Sequence, residues 1–331
     1  MIISKTPLRA SLFGGGTDYN KFAHQYGGAV LGFTLNKYIY VSAHNPCAIH
    51  DHKIRLSYSK SEYVDHIDML QHPSVKGVLK FFDFDSPLDA HIFADLPAKT
   101  GLGSSSSFTV GFVNVISHLL GQTMSAKELA KLAIHIEQDL IGENVGMQDQ
   151  AHAAFGGLNL IEFLPDGNIC AKPIDVSEDN KSLLSQSFRM FYTGTTRFAS
   201  EIAAKQIDNI SNGLSINYLK SLKKSTYLAE DIFKNESGDR FLKSIGELLL
   251  TSWEDKKKLA DNVSNDHVDS IIERALVAGA YGAKLLGAGS GGFVGLIVPD
   301  DRLYEVQNAL KDLIEIEVAI ENNGSQIIYT G

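Results

Sequence analysis

Three short glycine-rich stretches carry most of the chemistry legible in this 331-residue chain. One reads Pro97-Ala-Lys-Thr-Gly-Leu-Gly-Ser-Ser-Ser-Ser107. Small residues let a backbone approach a ligand closely. Phe108, Phe112, Val113, Ile116, Leu119 and Leu120 recur at three- to four-residue spacing, which predicts a helix over 105–120 that opens directly from this loop. Free N–H groups at a helix N-terminus, reinforced by the helix dipole, form a cradle for phosphate. The hydroxyls of Ser104 to Ser107 add partners for phosphate oxygens or for Mg²⁺. A loop that merely joins a strand to a helix has the same composition. The stretch is not a Walker A loop, because no G-x-x-x-x-G-K-[ST] occurs in the chain.

The stretch Thr6-Pro-Leu-Arg-Ala-Ser-Leu-Phe-Gly-Gly-Gly-Thr-Asp-Tyr19 sets a cation, Arg9, and a carboxylate, Asp18, around a glycine turn. A surface ion pair and a simple turn aspartate are the plainer readings. Gly287-Ala-Gly-Ser-Gly-Gly292 formally matches the dinucleotide fingerprint G-x-G-x-x-G. That fingerprint needs a strand before it and a helix after it. Here a helix over 268–285 is expected before it and a strand over 293–298 after it, so a tight turn is the better reading. His50-Asp51-His52 lacks a second ligand pair for a metal. Asp83-Phe-Asp85 reads as a surface turn.

The stretches at 14–16, 101–103 and 287–292 are far apart in the chain, so a common role requires a fold that gathers them. Strands are expected at Ala29–Ala43 (one or two), Ala90–Ala94 and Leu158–Leu164. A second helical stripe covers 126–141, opened by Ser125 and Glu128 in a capping-box pattern. Beyond about 170 the chain alternates a strand at 188–193, helices at 200–208, 215–235 and 239–261, the strand at 293–298, a helix at 302–313 and a final strand, QIIYT. Strands interleaved with helix pairs predict an α+β protein of two domains, 1–170 and 171–331.

Composition narrows the function. Hydrophobic residues at 44% and charged residues at 21% support a sizeable core. With 30 basic and 39 acidic side chains the formal charge is −9, which opposes nucleic-acid binding, since that needs a basic face. Two cysteines and no CxxC fit a reducing, cytoplasmic setting. No run of about 18 apolar residues calls for a membrane span.

Taken together, the three stretches resemble the motifs of the GHMP kinases in the right order and over nearly the whole chain. P-x-R-x(4)-G-x(2)-T-D-Y at 7–19, the G-L-G-S-S core at 101–105 and Gly287–Gly292 carry the likeness. The D-glycero-D-manno-heptose 7-phosphate kinase branch is the most similar. Gly14-Gly15-Gly16-Thr17-Asp18 stands where galactokinases have Gly-Glu-His-Thr-Asp. Met147-Gln-Asp-Gln-Ala-His-Ala-Ala-Phe-Gly-Gly157 and Tyr192-Thr-Gly-Thr-Thr-Arg197 also look like that branch.

The resemblance implies two lobes, an N-terminal mixed α/β domain with the ATP phosphate loop and a C-terminal ferredoxin-like domain, with the site between them. It implies Asp149 as the base toward a sugar hydroxyl and Arg9 as its catalytic cation. Gly101, Leu102, Gly103, Ser104 and Ser105 would bind ATP, with Ser105 and Glu137 holding Mg²⁺. Asp18, Gly15, Gly16 and Arg197 would bind substrate. For Glu137, a solvent-facing helix position is the alternative. Gly15 and Gly16, with backbone N–H groups in place of two side chains, suit an anionic acceptor, and Arg197 followed by Lys5 are the expected cations for it. The implied reaction is ATP- and Mg²⁺-dependent phosphorylation of a heptose 7-phosphate to the 1,7-bisphosphate. Another sugar 1-kinase of galactose or fucose type is the same-class alternative. An inactive sugar sensor is disfavoured because Arg9, Ser105 and Asp149 are all present.

Overall fold

The computed structural model describes residues 1–47, 49, 51–195 and 199–331. The first lobe runs β1 (Ile2–Phe13), α1 (Asn20–Tyr26), β2 (Gly28–His44), β3 (Ile54–Ser57), β4 (Ser61–Val64), α2 (Pro73–Phe81), β5 (Leu88–Ala94), α3 (Ser104–Leu119), α4 (Ala126–His135), α5 (Gln148–Phe155), β6 (Leu158–Phe163) and β7 (Ile169–Pro173). The second runs α6 (Glu178–Ser187), β8 (Phe188–Tyr192), α7 (Ala199–Ser211), α8 (Ile216–Asn235), α9 (Gly238–Lys257), α10 (Asp266–Val277), β9 (Gly282–Leu285), β10 (Phe293–Ile297), α11 (Leu303–Ala309) and β11 (Ile314–Ile316). The chain then returns through β12 (Ile320–Glu321) and β13 (Gln326–Thr330).

The Ala29–Ala43 segment is one strand, and its length organises the first lobe. One edge of β2 pairs with β1 along its whole course. The other edge pairs in turn with β6 at 28–33, β12 at 34–35 and β5 at 39–44. β13 adds to the outer edge of β1, matching Ile2 with Thr330. Residues 320–330 therefore lie in the first sheet, so the segment 171–331 does not belong wholly to the second lobe. Backbone pairing with Ile2–Lys5 draws them back.

The second sheet has the order β11-β8-β10-β9, all neighbours antiparallel. Counting its strands in chain order, that is fourth-first-third-second, the ferredoxin-like arrangement. Phe33 of β2 meets Phe188 of β8 edge to face with centroids 5.0 Å apart. One apolar core runs through this contact from the first sheet into the second.

α3 is buried on almost every side from Ser106 to Ser117, as expected of a helix apolar all round. Leu120, read as part of its stripe, caps the helix and is exposed. The capping box at α4 forms, with Ser125 and Glu128 each accepting the other's backbone N–H. The expected helix over 268–285 does not hold. α10 stops at Val277, and Gly279 takes φ +109°, a conformation no helical residue adopts. Gly282–Leu285 then pairs with β10. The 287–292 stretch is thus a hairpin turn between two strands, and a dinucleotide fingerprint is excluded because a strand, not a helix, follows it.

α5 crosses β2 at Gly32, where a Cβ would lie 3.2 Å from the Nε2 of His152. His152 is fully buried, and neither ring nitrogen has a hydrogen-bond partner. Burial, aided by the nearby Arg9 charge, pushes its pKa down from 6.5 to about 3. The unfolded chain accepts a proton that the native chain refuses, so stability falls as pH drops from 6.5 towards 3. His152→Leu is expected to flatten this slope by about one proton, roughly 1.4 kcal/mol per pH unit, in urea melts between pH 6.5 and 4. An unchanged slope would mean that other groups set the acid sensitivity.

Candidate active site

Arg9 lies on β1, which packs beneath the start of α3, and is almost wholly buried. Its backbone N–H donates to the Leu102 carbonyl at 3.1 Å. Its guanidinium donates through Nε to Asp149 Oδ1 at 2.8 Å and through Nη2 to Oδ2 at 2.7 Å. Nη1 donates to the Gly101 carbonyl at 2.6 Å. A planar fork that grips both carboxylate oxygens fixes orientation as well as charge. Asp149 enters from the first turn of α5, and its side chain stays 27% exposed, so one edge is open to an incoming group.

The 97–107 stretch and the 287–292 turn meet backbone to backbone. Gly101 has φ +82°, and a Cβ there would lie 2.4 Å from the Leu286 carbonyl oxygen. No other residue type permits that approach. A Cβ at Gly103 would lie 3.2 Å from Asp149 Oδ2 and 3.3 Å from Arg9 Cγ, so the entrance to α3 borders the ion pair directly. Leu102 is fully buried, Ser104 half-buried and Ser105 exposed.

Of the hydroxyls in the 97–107 stretch, that of Ser106 donates to Glu137, and Glu137 is not solvent-facing. It is fully buried just past α4, where residues Ile136–Leu140 form a π-helical turn closed by the Ile141 N–H on the Ile136 carbonyl. Ser106 Oγ donates to its Oε2 at 2.8 Å, and Gln150 Nε2 donates to the same oxygen. Its Oε1 makes no hydrogen bond of normal geometry, although the Thr109 hydroxyl is near enough to favour the carboxylate. Burial raises its pKa to about 7. Ser106, one residue beyond Ser105 on α3, faces inward to Glu137 while Ser105 faces out.

Asp18 is buried at the 14–18 turn. It accepts the Gly16 N–H at 2.8 Å and both the backbone and side-chain N–H of Gln148, each at 3.2 Å. Burial raises its pKa. The Gly16 N–H is therefore spent inside the turn. The Gly15 carbonyl accepts from Lys256 Nζ at 2.9 Å. Lys5 is committed elsewhere, 3.8 Å above the Tyr38 ring and 4.0 Å from Glu321. Arg197 lies outside the described residues, as does His50 of the histidine pair. Among the described residues no cluster of His, Cys, Asp and Glu is arranged to hold a metal, and no helix is long and apolar enough to cross a membrane.

Sequence reasoning missed two buried lysines beside this site, Lys256 and Lys284, each 6% exposed. Lys256 did carry a signal. It continues the buried α9 stripe of Ile245, Leu249, Ser252 and Trp253 at helical spacing, unlike its neighbours Lys257 and Lys258. Lys284 was hidden by the misplaced helix over 268–285.

Residues 73–157 match the family model described as GHMP kinases N terminal domain, and residues 228–315 match GHMP kinases C terminal. A Campylobacter jejuni protein named D-glycero-alpha-D-manno-heptose 7-phosphate kinase is 30% identical over 320 residues, covering 94% of this chain and 93% of its own. The chain belongs to the GHMP kinases. It is a sugar kinase of that family, a phosphotransferase with an alcohol acceptor and ATP as co-substrate. A Pyrococcus furiosus galactokinase is 27% identical, with 93% of this GHMP kinase and 92% of the relative covered. The crystal structure of a D-glycero-D-manno-heptose 1-phosphate kinase from Bacteroides thetaiotaomicron superposes with a TM-score of 0.79 over all of both chains. At 24% identity that likeness speaks for the two-lobed fold alone.

Proposed function

We propose that this GHMP kinase transfers the γ-phosphoryl group of ATP to O1 of D-glycero-D-manno-heptose 7-phosphate, giving the 1,7-bisphosphate. The observation that carries the acceptor is the Campylobacter jejuni relative of that name, similar at 30% identity along almost the full length of both chains. The geometry supports the chemistry. Phosphoryl transfer depends on positioning and electrostatic stabilisation more than on covalent help from the protein. The α3 N-terminus at Gly103–Ser105 offers N–H groups and hydroxyls for the nucleotide phosphates, and it borders an aspartate clamped by an arginine.

In this reading Asp149 accepts the proton of the sugar hydroxyl through its open edge. The hydroxyl oxygen forms its bond to the γ-phosphorus while the bond from that phosphorus to the bridging β-oxygen breaks, and ADP leaves. Arg9 orients the carboxylate and offsets negative charge on the transferring group. Asp18 and Gln148 hold sugar hydroxyls at the 14–18 turn. Arg197 remains a candidate for the substrate on its motif match alone.

The residues present fit Mg²⁺. Glu137 Oε1 is a buried carboxylate oxygen with no hydrogen bond of normal geometry, beneath the first turn of α3 and near the Thr109 hydroxyl. A hard cation that takes few protein ligands and several nucleotide oxygens suits such a position. Glu137 would hold it, with Ser105 as the exposed hydroxyl above. Bound Mg²⁺ supplies charge neutralisation and orientation of the nucleotide phosphates.

Three outcomes test this reading. Asp149→Asn is expected to keep ATP binding and lower kcat by roughly 10²-fold or more, the scale of a lost acid–base group; a folded variant with near-normal kcat removes Asp149 from the chemistry. Glu137→Gln is expected to raise the Mg²⁺ concentration for half-maximal rate, and an unaltered Mg²⁺ dependence at full activity would make Glu137 a packing residue. In an ADP-release assay over a sugar panel, heptose 7-phosphate is expected to give the highest kcat/KM. Galactose or fucose in first place would overturn the acceptor while leaving the kinase.

A further inference from the structure

Two cations of the second lobe are buried against the first without a countercharge. Lys256 of α9 donates to the Gly15 carbonyl at 2.9 Å, with Gln206 Oε1 at 3.5 Å. Lys284 of β9 donates to the Leu12 carbonyl at 2.7 Å. Among the described residues no carboxylate comes within ion-pair distance of either ammonium. Asp18 and Asp149 act on Lys256 only from farther away, while the other charges acting on Lys284 are the cations Lys256 and Arg9. Burial pushes Lys256 down to about 8 and Lys284 down to about 7.

Burying an ammonium is costly, and of three donors apiece Lys284 places one and Lys256 two, the second in a long bond to Gln206. Two such groups, one on the Gly15 carbonyl and one on the Leu12 carbonyl three residues before it, are electrostatically incomplete, and an anionic ligand is what completes them. Two phosphates are available, one on the nucleotide and one on the sugar. The nucleotide phosphates have their own cradle at the α3 N-terminus. The lysines instead meet the end of β1 and the turn after it, at Leu12 and Gly15. A Cβ on Gly16 would sit 3.4 Å from Lys256 Nζ, and the same turn carries Asp18, which accepts from Gln148, the chain neighbour of Asp149.

We propose that Lys256 and Lys284 form the cationic subsite for the phosphate already carried by the sugar, and so set the preference for a phosphorylated over a free acceptor. The inference rests on the reading of the acceptor as a sugar phosphate. It assigns that phosphate to two residues that neither the motifs nor the relatives' names single out.

The test compares wild type with Lys256→Met and Lys284→Met, using heptose 7-phosphate, the same heptose without phosphate, and ATP as varied substrates. Each variant is expected to raise KM for the sugar phosphate roughly ten- to a hundredfold, the scale of a lost charge-assisted hydrogen bond, and to leave KM for ATP nearly unchanged. The wild-type preference for the phosphorylated sugar should shrink by the same factor. The ligand-free variants should melt no lower than wild type, because methionine removes an uncompensated buried charge. Lys256→Gln and Lys284→Gln serve if methionine does not pack.

A preference that survives in both variants overturns the proposal. So does a KM change confined to ATP, which would assign the lysines to the nucleotide. A lower melting temperature with unaltered kinetic constants would make them structural latches between the lobes. Failure of the sugar-phosphate reading itself shows separately, in a wild-type enzyme that does not distinguish the two heptoses.

Discussion

The Arg9–Asp149 clamp is the constraint on which the rest of the site depends. One guanidinium joins three parts of the chain: β1 through its own backbone, α5 through Asp149, and the phosphate loop through the Gly101 carbonyl. Because both carboxylate oxygens are gripped, α5 cannot rotate without breaking two charge-assisted bonds. Because Gly101 also packs against the 287–292 turn, the same contact ties the first lobe to the second. A bidentate pair of this kind is of limited use as a stabiliser, since two charges must be desolvated. Its effect is to hold one carboxylate at a set angle beside the α3 N-terminus.

Around the clamp the charges are arranged at some cost to the apo protein. Asp18, Glu137, Lys256, Lys284 and His152 are all buried, and in each the burial disfavours the charged form. A fold selected for stability alone would place apolar residues at several of these positions. Strain of this sort collects where ligands supply the missing partner. In the proposed reading Glu137 would take its partner from Mg²⁺ and the two lysines theirs from the sugar's phosphate.

The large-scale plan was legible in the residues. β-Branched and aromatic residues marked β2, an apolar run after Gly156-Gly157 marked β6, and the stripe from Phe108 marked α3. The capping box at Ser125 set the start of α4, and QIIYT marked β13 to the residue. Errors came where a local pattern has two solutions. Val268 to Leu285 keeps a helical apolar rhythm past Val277, and only the pairing of 282–285 with β10 shows that the rhythm has become a strand. Ser105 and Ser106 are indistinguishable in sequence, yet one faces solvent and the other Glu137, since 100° of helix rotation separates them.

By itself the sequence determined which residue types were available for phosphoryl transfer, the glycines that permit close backbone approach, and the α+β class of fold, because these follow from local spacing and side-chain chemistry. It could not determine which lysines among thirty basic residues are buried at the site, nor that Glu137 lies beneath α3. Those facts depend on which distant segments pack together, and burial, not residue type, is what gives Lys256, Lys284 and Glu137 their unusual electrostatics. Tertiary structure decided them by bringing β1, the phosphate loop, α5, α9 and the β9–β10 turn to one place.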